Sequence, residues 1–183
     1  YYPKAMVTAS SQLQAAKYKK IMDQVIREKG DADHIKTLAA FSNKKLPFEG
    51  EKISEDDLND IGISIRKAME TLPEYRFLIV NEKYTTGYDE PLLTAMYVDK
   101  KLRGTKVVQT LNRLDRIFGN LKQKTFVLDF VNAPKHIKKA FQRFYEQTHF
   151  IGESDPFDLY EYLTTIKGYG ITDPDHVETT AEL

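Results

Sequence analysis

The sequence has no cysteine and no tryptophan among its 183 residues. The absence of cysteine excludes a disulfide framework and any thiolate metal site, and it suits a reducing, cytoplasmic setting. No apolar run approaches the roughly 20 residues that a membrane span needs, so no membrane partner is expected. The opening Tyr1-Tyr2-Pro3-Lys4 lacks the apolar stretch of a secretory signal. Net charge is absent too, because 27 Lys or Arg balance 27 Asp or Glu. The four histidines (His34, His136, His149 and His176) are scattered without metal-ligand spacing, so no metal site is expected. No Ser-His-Asp arrangement follows from spacing either. Internal repeats and low-complexity stretches are missing. So is any Gly-x-x-x-x-Gly-Lys-Ser/Thr phosphate loop.

What remains is the profile of one globular domain, with 41% hydrophobic and 30% charged residues. The balanced charge is unevenly placed. Residues 100–143 hold twelve Lys or Arg against Asp115 and Asp129, whereas residues 144–183 hold nine acids and only Lys167. The basic block could face phosphates, or it could be a solvated pair of helices that the acidic tail balances.

Short apolar runs alternate with amphipathic helices, which predicts an α/β fold with a mainly parallel sheet of five or six strands flanked by helices. The expected strands are 5–9, 35–41, 75–80, 95–98 and 125–130. Tyr75 to Val80 is nearly continuous in apolar character, as a strand buried on both faces should be. Ser10-Ser11 supply an N-cap for a helix over 12–29, with Leu13, Ala16, Ile21 and Val25 at helical spacing and Gly30 as its stop. Residues 43–53 read as a surface loop. Further helices are expected near 54–57, over 64–71, over 105–118 and over 134–148. A looser pattern follows, with a helix over 158–166 and a frayed end or linker over 173–183. This divides the chain into a domain over 1–150 and a helical extension or linker over 151–183. In parallel sheets ligands gather at the carboxyl ends of strands. The loops that matter are then 9–12, 41–46, 80–91, 98–106 and 130–134.

Two segments carry the chemistry. On a helix over 105–118, Gln109, Arg113 and Arg116 fall within an arc of about 60°, opposite Val107, Leu111, Leu114 and Phe118. Such a face can be an ordinary solvated one, or it can hold a polyanion, for which the planar guanidinium fork is suited. The second segment is Asn81-Glu82-Lys83-Tyr84-Thr85-Thr86-Gly87-Tyr88-Asp89-Glu90-Pro91, directly after the apolar strand. Gly87 permits a positive φ or a close approach. Asp89 could accept from a sugar hydroxyl, and Asn81, Thr85 and Thr86 could donate to phosphates. A plain connecting loop would use the same residue types.

Together these segments resemble the fifth and sixth motifs of superfamily 2 helicases and translocases. The resemblance is closer to the R subunit of type I restriction-modification enzymes. It rests on Leu78 to Leu93 (LIVNEKYTTGYDEPLL), Met96 to Leu102 (MYVDKKL), Val108 to Arg116 (VQTLNRLDR), Thr125 to Asn132 (TFVLDFVN), and Ala140-Phe141-Gln142 with Tyr145-Glu146. It extends over roughly residues 4–150. Asn43 stands where the family has Gly after Phe41-Ser42, and Asn112 where the wider superfamily often has Gly.

The resemblance implies the second RecA-like motor domain of that subunit, which closes on a first RecA-like domain with ATP and Mg between them. It matches Arg113 and Arg116 to the arginines that reach the triphosphate, with Arg116 as the arginine finger. Gln109 matches the polar residue that opens that motif, and Gly87 and Asp89 the Gly-x-Asp that approaches the nucleotide. Ser10 and Ser11 match a motif that holds a DNA phosphate. Asn81, Thr85 and Thr86 lie where further DNA contacts are expected. The implied activity is that of one part of a type I site-specific deoxyribonuclease with ATP-dependent translocation. Its implied partners are double-stranded DNA and the modification and specificity subunits, in a prokaryotic cytoplasm. Holding half an ATP site, the chain would not hydrolyse ATP alone. Asp99-x-Lys101 resembles a nuclease site in letters only. Another superfamily 2 helicase, or a catalytically silent scaffold domain, are the alternative readings.

Overall fold

The computed structural model describes residues 2–42, 45–85, 87–115, 122 and 124–148. Tyr1–Phe141 form one compact unit and Gln142–Leu183 another. The chain begins with strand β1 (Lys4–Ala9), buried along its whole length. Helix α1 (Gln12–Glu28) follows, opened by Ser11, whose Oγ accepts from the Gln14 N–H at 3.1 Å. Gly30, at φ +77°, takes the left-handed position that ends the helix. Strand β2 (Lys36–Ala40) leads into a hairpin, β3 (Leu46–Phe48) and β4 (Glu51–Ile53). Helix α2 (Glu55–Asn59) carries a full capping box between Ser54 and Asp57. Hydrogen bonds from Ser54 hold the Asp57 carboxyl below its ordinary pKa. Helix α3 (Ile65–Thr71), strand β5 (Tyr75–Val80) and strand β6 (Leu93–Asp99) come next. Helix α4 (Thr105–Leu111), a 3-10 turn (Asn112–Asp115), strand β7 (Phe126–Asp129) and helix α5 (Pro134–Thr148) complete the order.

All five long strands lie parallel in one sheet, in the order β2-β5-β1-β6-β7. This is the α/β architecture, a parallel five-stranded sheet flanked by helices, that the sequence predicts. Alternate residues of each strand enter opposite layers. Met6, Leu38, Leu78, Val80, Met96 and Val98 pack under α3, α4 and the partly buried Ile137 and Phe141 of α5. Val7, Ala9, Ala39 and Ile79 pack under α1 through Ala15 and Ala16. Met6, Leu78 and Met96 are fully buried, each worth about 1.5–3 kcal/mol relative to exposure.

The two edges of the sheet are treated differently. At β2, the Asn59 side chain copies a neighbouring strand. Its Oδ1 accepts from the Ala39 N–H and its Nδ2 donates to the Ala39 carbonyl, both at 2.8 Å. Glu55 accepts from the Phe41 N–H at 2.7 Å. At β7, no described residue pairs with the outer edge, and Phe126, Val127 and Leu128 are exposed there, as are Phe130 and Val131 just beyond.

Three expectations are corrected. Residues 46–53 form the antiparallel β3–β4 hairpin rather than a surface loop, because Glu49 and Gly50 both adopt positive φ, 53° and 90°, as a tight hairpin turn requires. Over the described part of the expected helix 105–118, the chain is α-helical to Leu111 and tightens to 3-10 geometry over Asn112–Asp115, with Asn112, a weak helix former, as the C-cap. Helix α1 buries Ala15, Ala16 and Lys19, while Leu13, Ile21 and Val25 face outward. The alanines allow close approach to the sheet. Lys19 is neutralised by Asp23 at 2.8 Å and donates to the Thr37 carbonyl at 3.0 Å. The helix expected over 158–166 and the end over 173–183 lie outside the described residues, as do Thr86 and Arg116.

Candidate functional site at the carboxyl ends of the strands

The five carboxyl ends are tied together by side chains. Asn81, just past β5, is buried, and its Nδ2 donates to the Ala9 carbonyl of β1 at 2.9 Å. Its backbone N–H reaches the Ala40 carbonyl of β2 at 3.3 Å. The Asn81 carbonyl in turn accepts from Lys100 Nζ at 3.1 Å. Lys100 follows β6, and its own carbonyl accepts from Asn132 Nδ2 at 2.8 Å. Asn132 also takes the Leu102 N–H on its Oδ1 at 3.0 Å, and its backbone N–H donates to Asp129 of β7 at 2.8 Å. The rim of the sheet is thus a hydrogen-bonded band in which Asn81 links the ends of β2, β5, β1 and β6, and Asn132 links those of β6 and β7.

Above this band runs the segment after β5. It turns tightly, with Thr85 Oγ1 donating to the Glu82 carbonyl at 2.5 Å and Tyr84 at φ 61°. Gly87 has φ +72°, and a Cβ there would meet nothing within 4 Å. The glycine is therefore favoured by backbone conformation rather than by lack of space. Arg113, half-buried in the 3-10 turn, clasps this segment. Its Nε donates to the Thr85 carbonyl at 2.9 Å, and its Nη1 donates to the Tyr88 carbonyl. Tyr88 is buried beside Tyr84, ring centroids 5.2 Å apart, and burial pushes its hydroxyl pKa up. The two segments singled out in the sequence are physically joined by this clasp.

Between them opens a cavity of about 250 Å³, lined by Thr8, Glu82, Thr85, Lys100, Leu102, Lys106, Gln109 and Thr110. Glu82 forms an ion pair with Lys100, which holds the Glu82 carboxyl below its ordinary pKa. Gln109 and Thr85 come together here, with Arg113 fixing the Thr85 backbone. Asp89 does not line this cavity. It lies with Lys4, Arg66, Glu70 and Glu90 on a second pocket of about 460 Å³, by the amino end of β1. There Lys4 and Glu90 form a buried ion pair at 2.7 Å, and Lys4 also donates to the Met69 carbonyl. Ser10 is exposed beside the α1 terminus, and Ser11 is its cap.

Lys100 and Lys106 were legible in the sequence as part of the basic block. The partnership of Lys100 with Glu82 was not, and neither was the bridging role of Asn132, for which the Asp129-x-x-Asn132 spacing was the available signal. Among the described residues no group of three His, Asp or Glu could hold a metal ion. No helix among them is long and apolar enough to cross a membrane.

A parallel α/β sheet with a braced polar rim defines a class of domain whose ligand-handling groups sit at one end of the strands. Comparison with known proteins makes the class particular. Residues 52–132 match the family described as type I restriction enzyme subunit R domain 3. The chain is 31% identical over 143 residues to a putative type I restriction enzyme MjaVIIP endonuclease subunit of Methanocaldococcus jannaschii, covering 72% of this chain and 13% of that protein. It is 29% identical over 75 residues to the type I restriction enzyme HindI endonuclease subunit of Haemophilus influenzae, covering 40% of this chain and 7% of that one. Among solved structures, the C-terminal part of the Fun30 ATPase domain aligns with a TM-score of 0.39 and 9% identity, over 75% of this chain and 38% of the other. The chain belongs to the type I restriction enzyme R subunit family. It spans 13% and 7% of the lengths of the two subunits it matches.

Proposed function

We propose that this chain supplies the second motor domain of an ATP-dependent DNA translocase within a type I restriction endonuclease. The observation that carries the reading is the Arg113 clasp. It joins the Thr85–Tyr88 segment to the segment bearing Gln109 beside a cavity rich in donors. Family membership supports the same reading.

The donor set fits phosphate. Lys100, Lys106 and Gln109 offer ammonium and amide groups around one cavity. Bound ATP supplies the phosphoryl group whose transfer drives movement. Its Mg would be held mainly by the first RecA-like domain of the longer polypeptide. Arg116 is the proposed arginine finger. Arg113 sets the position of the loop and presents its guanidinium at the same edge. Gly87 shapes the approach to the nucleotide, whereas Asp89 lies by the amino end of β1, away from the proposed phosphate cavity. Ser10, Ser11, Thr85 and Thr86 are proposed contacts to DNA phosphates, while Asn81 acts by holding β1, β2 and β5 in register. Because phosphate contacts carry no sequence information, movement would be independent of sequence and weakened by salt. Target choice would fall to the specificity subunit, in a prokaryotic cytoplasm.

An arginine finger is worth about 10³–10⁵ in turnover, or roughly 4–7 kcal/mol of barrier. DNA-stimulated ATPase of the longer polypeptide, wild type against Arg116→Ala, tests the reading. A fall of at least about a hundredfold with unchanged DNA binding is expected. Unchanged turnover would remove Arg116 from the chemistry and favour a silent scaffold domain.

A further inference from the structure

We infer that Lys100 is the principal cation of a phosphate-oxyanion site in the carboxyl-end cavity, and that Glu82 is its displaceable counter-ion. The inference rests on the motor-domain reading and names the groups that meet phosphate within it.

The ion pair is asymmetric. The Lys100 side chain is only 16% exposed, whereas that of Glu82 is 55% exposed. Lys100 is anchored from below by the Asn81 carbonyl at 3.1 Å, and its own backbone is pinned by Asn132. The lysine is therefore a fixed part of the rim. The Glu82 backbone is likewise fixed, since its carbonyl accepts from both the N–H and the hydroxyl of Thr85. The Glu82 side chain, by contrast, extends into water. Replacing its carboxylate by another oxyanion leaves the lysine in place and releases an acid that solvent readily accepts.

The rest of the lining is chosen for an anion. Glu82 is the sole acid among the described residues around the cavity, against Lys100, Lys106, Gln109 and three threonines. At about 30 Å³ per water, 250 Å³ is room enough for a phosphate group with its hydration. An ammonium has three N–H donors. In Lys100 one serves Asn81 and one serves Glu82. A phosphate oxygen arriving at the Glu82 position gains that donor together with the charge of Lys106.

The phosphate could come from a DNA backbone or from a nucleotide, and the two are separable. The full 183-residue chain is tested with a fluorescent 30-base-pair duplex by anisotropy and with inorganic tripolyphosphate by calorimetry, at constant ionic strength. Glu82→Gln is expected to tighten binding of one probe at least threefold. Lys100→Gln is expected to weaken the same probe at least threefold, while Lys100→Arg retains binding. The decisive arm is the double variant, in which Glu82→Gln brings no gain once Lys100 is gone. A change confined to the duplex assigns the site to DNA, and one confined to tripolyphosphate assigns it to the nucleotide. For the duplex, Lys100→Gln should also lower the salt slope by about one. If Glu82→Gln tightens binding equally with and without Lys100, the gain is general charge removal and the inference falls. If wild type binds a probe and no variant alters it, the inference falls while the motor reading stands. If neither probe binds wild type or any variant, both fall.

Discussion

Arg113 offers the sharpest test of how the two halves of the site are held together. Its Nε and Nη1 donate to the carbonyls of Thr85 and Tyr88, across 28 and 25 residues of sequence. A hydrogen bond to a charged group contributes about 1.5–3 kcal/mol, and an abandoned buried carbonyl adds to the loss. Arg113 is only half-buried, so the low end applies. Two such bonds set a cost of about 3 kcal/mol for Arg113→Gln. In a domain of this size that lowers the melting temperature by about 6–12 °C. Arg113→Lys keeps the charge but has one ammonium for two carbonyls, so it should lose about half as much. Urea unfolding followed by circular dichroism gives the magnitude. Amide exchange gives the location, with faster exchange expected between Thr85 and Asp89 and little change in β1. If Arg113→Gln unfolds within about 0.5 kcal/mol of wild type and the segment exchanges at its normal rate, the clasp is not a structural brace.

Other outcomes follow from the buried polar groups. Lys4→Met or Glu90→Gln alone should each cost about 3–5 kcal/mol, because each leaves an uncompensated buried charge, while the double variant should recover much of the loss. A urea double-mutant cycle measures the coupling, and simple additivity would refute a tight pair. Asn59→Ala should cost about 2–4 kcal/mol by stranding the N–H and carbonyl of Ala39. Exchange at the Ala39 amide should accelerate with it, and an unchanged rate would show that the cap does not protect that edge.

The sheet was legible because parallel strands covered on both faces read as continuous apolar runs, and Tyr75–Val80 is the clearest example. The hairpin was hidden because its turn uses Glu49 at positive φ, where Asn or Asp would have signalled it. The buried face of α1 was hidden for a different reason. Helical spacing marks the bulky Leu13, Ile21 and Val25, but the sheet is met by alanines and by a lysine whose neutralising partner, Asp23, is itself polar. At the candidate site, Gly87 and the arginine spacing could be read locally. The commitments of Asn81 to Ala9 and of Lys100 to Glu82 could not, since each depends on which strands lie side by side.

The unequal edges of the sheet limit how the domain can associate through its backbone. A sheet with two open edges can add neighbours on both sides and grow without end, which is the route to fibres. Here Asn59 and Glu55 occupy the β2 side. Among the described residues of this sheet, the β7 side is the one left open to a foreign strand, and two copies joined there would present flanks capped at Ala39 and Phe41 to a later arrival. Strand-to-strand assembly through this sheet would then stop at two.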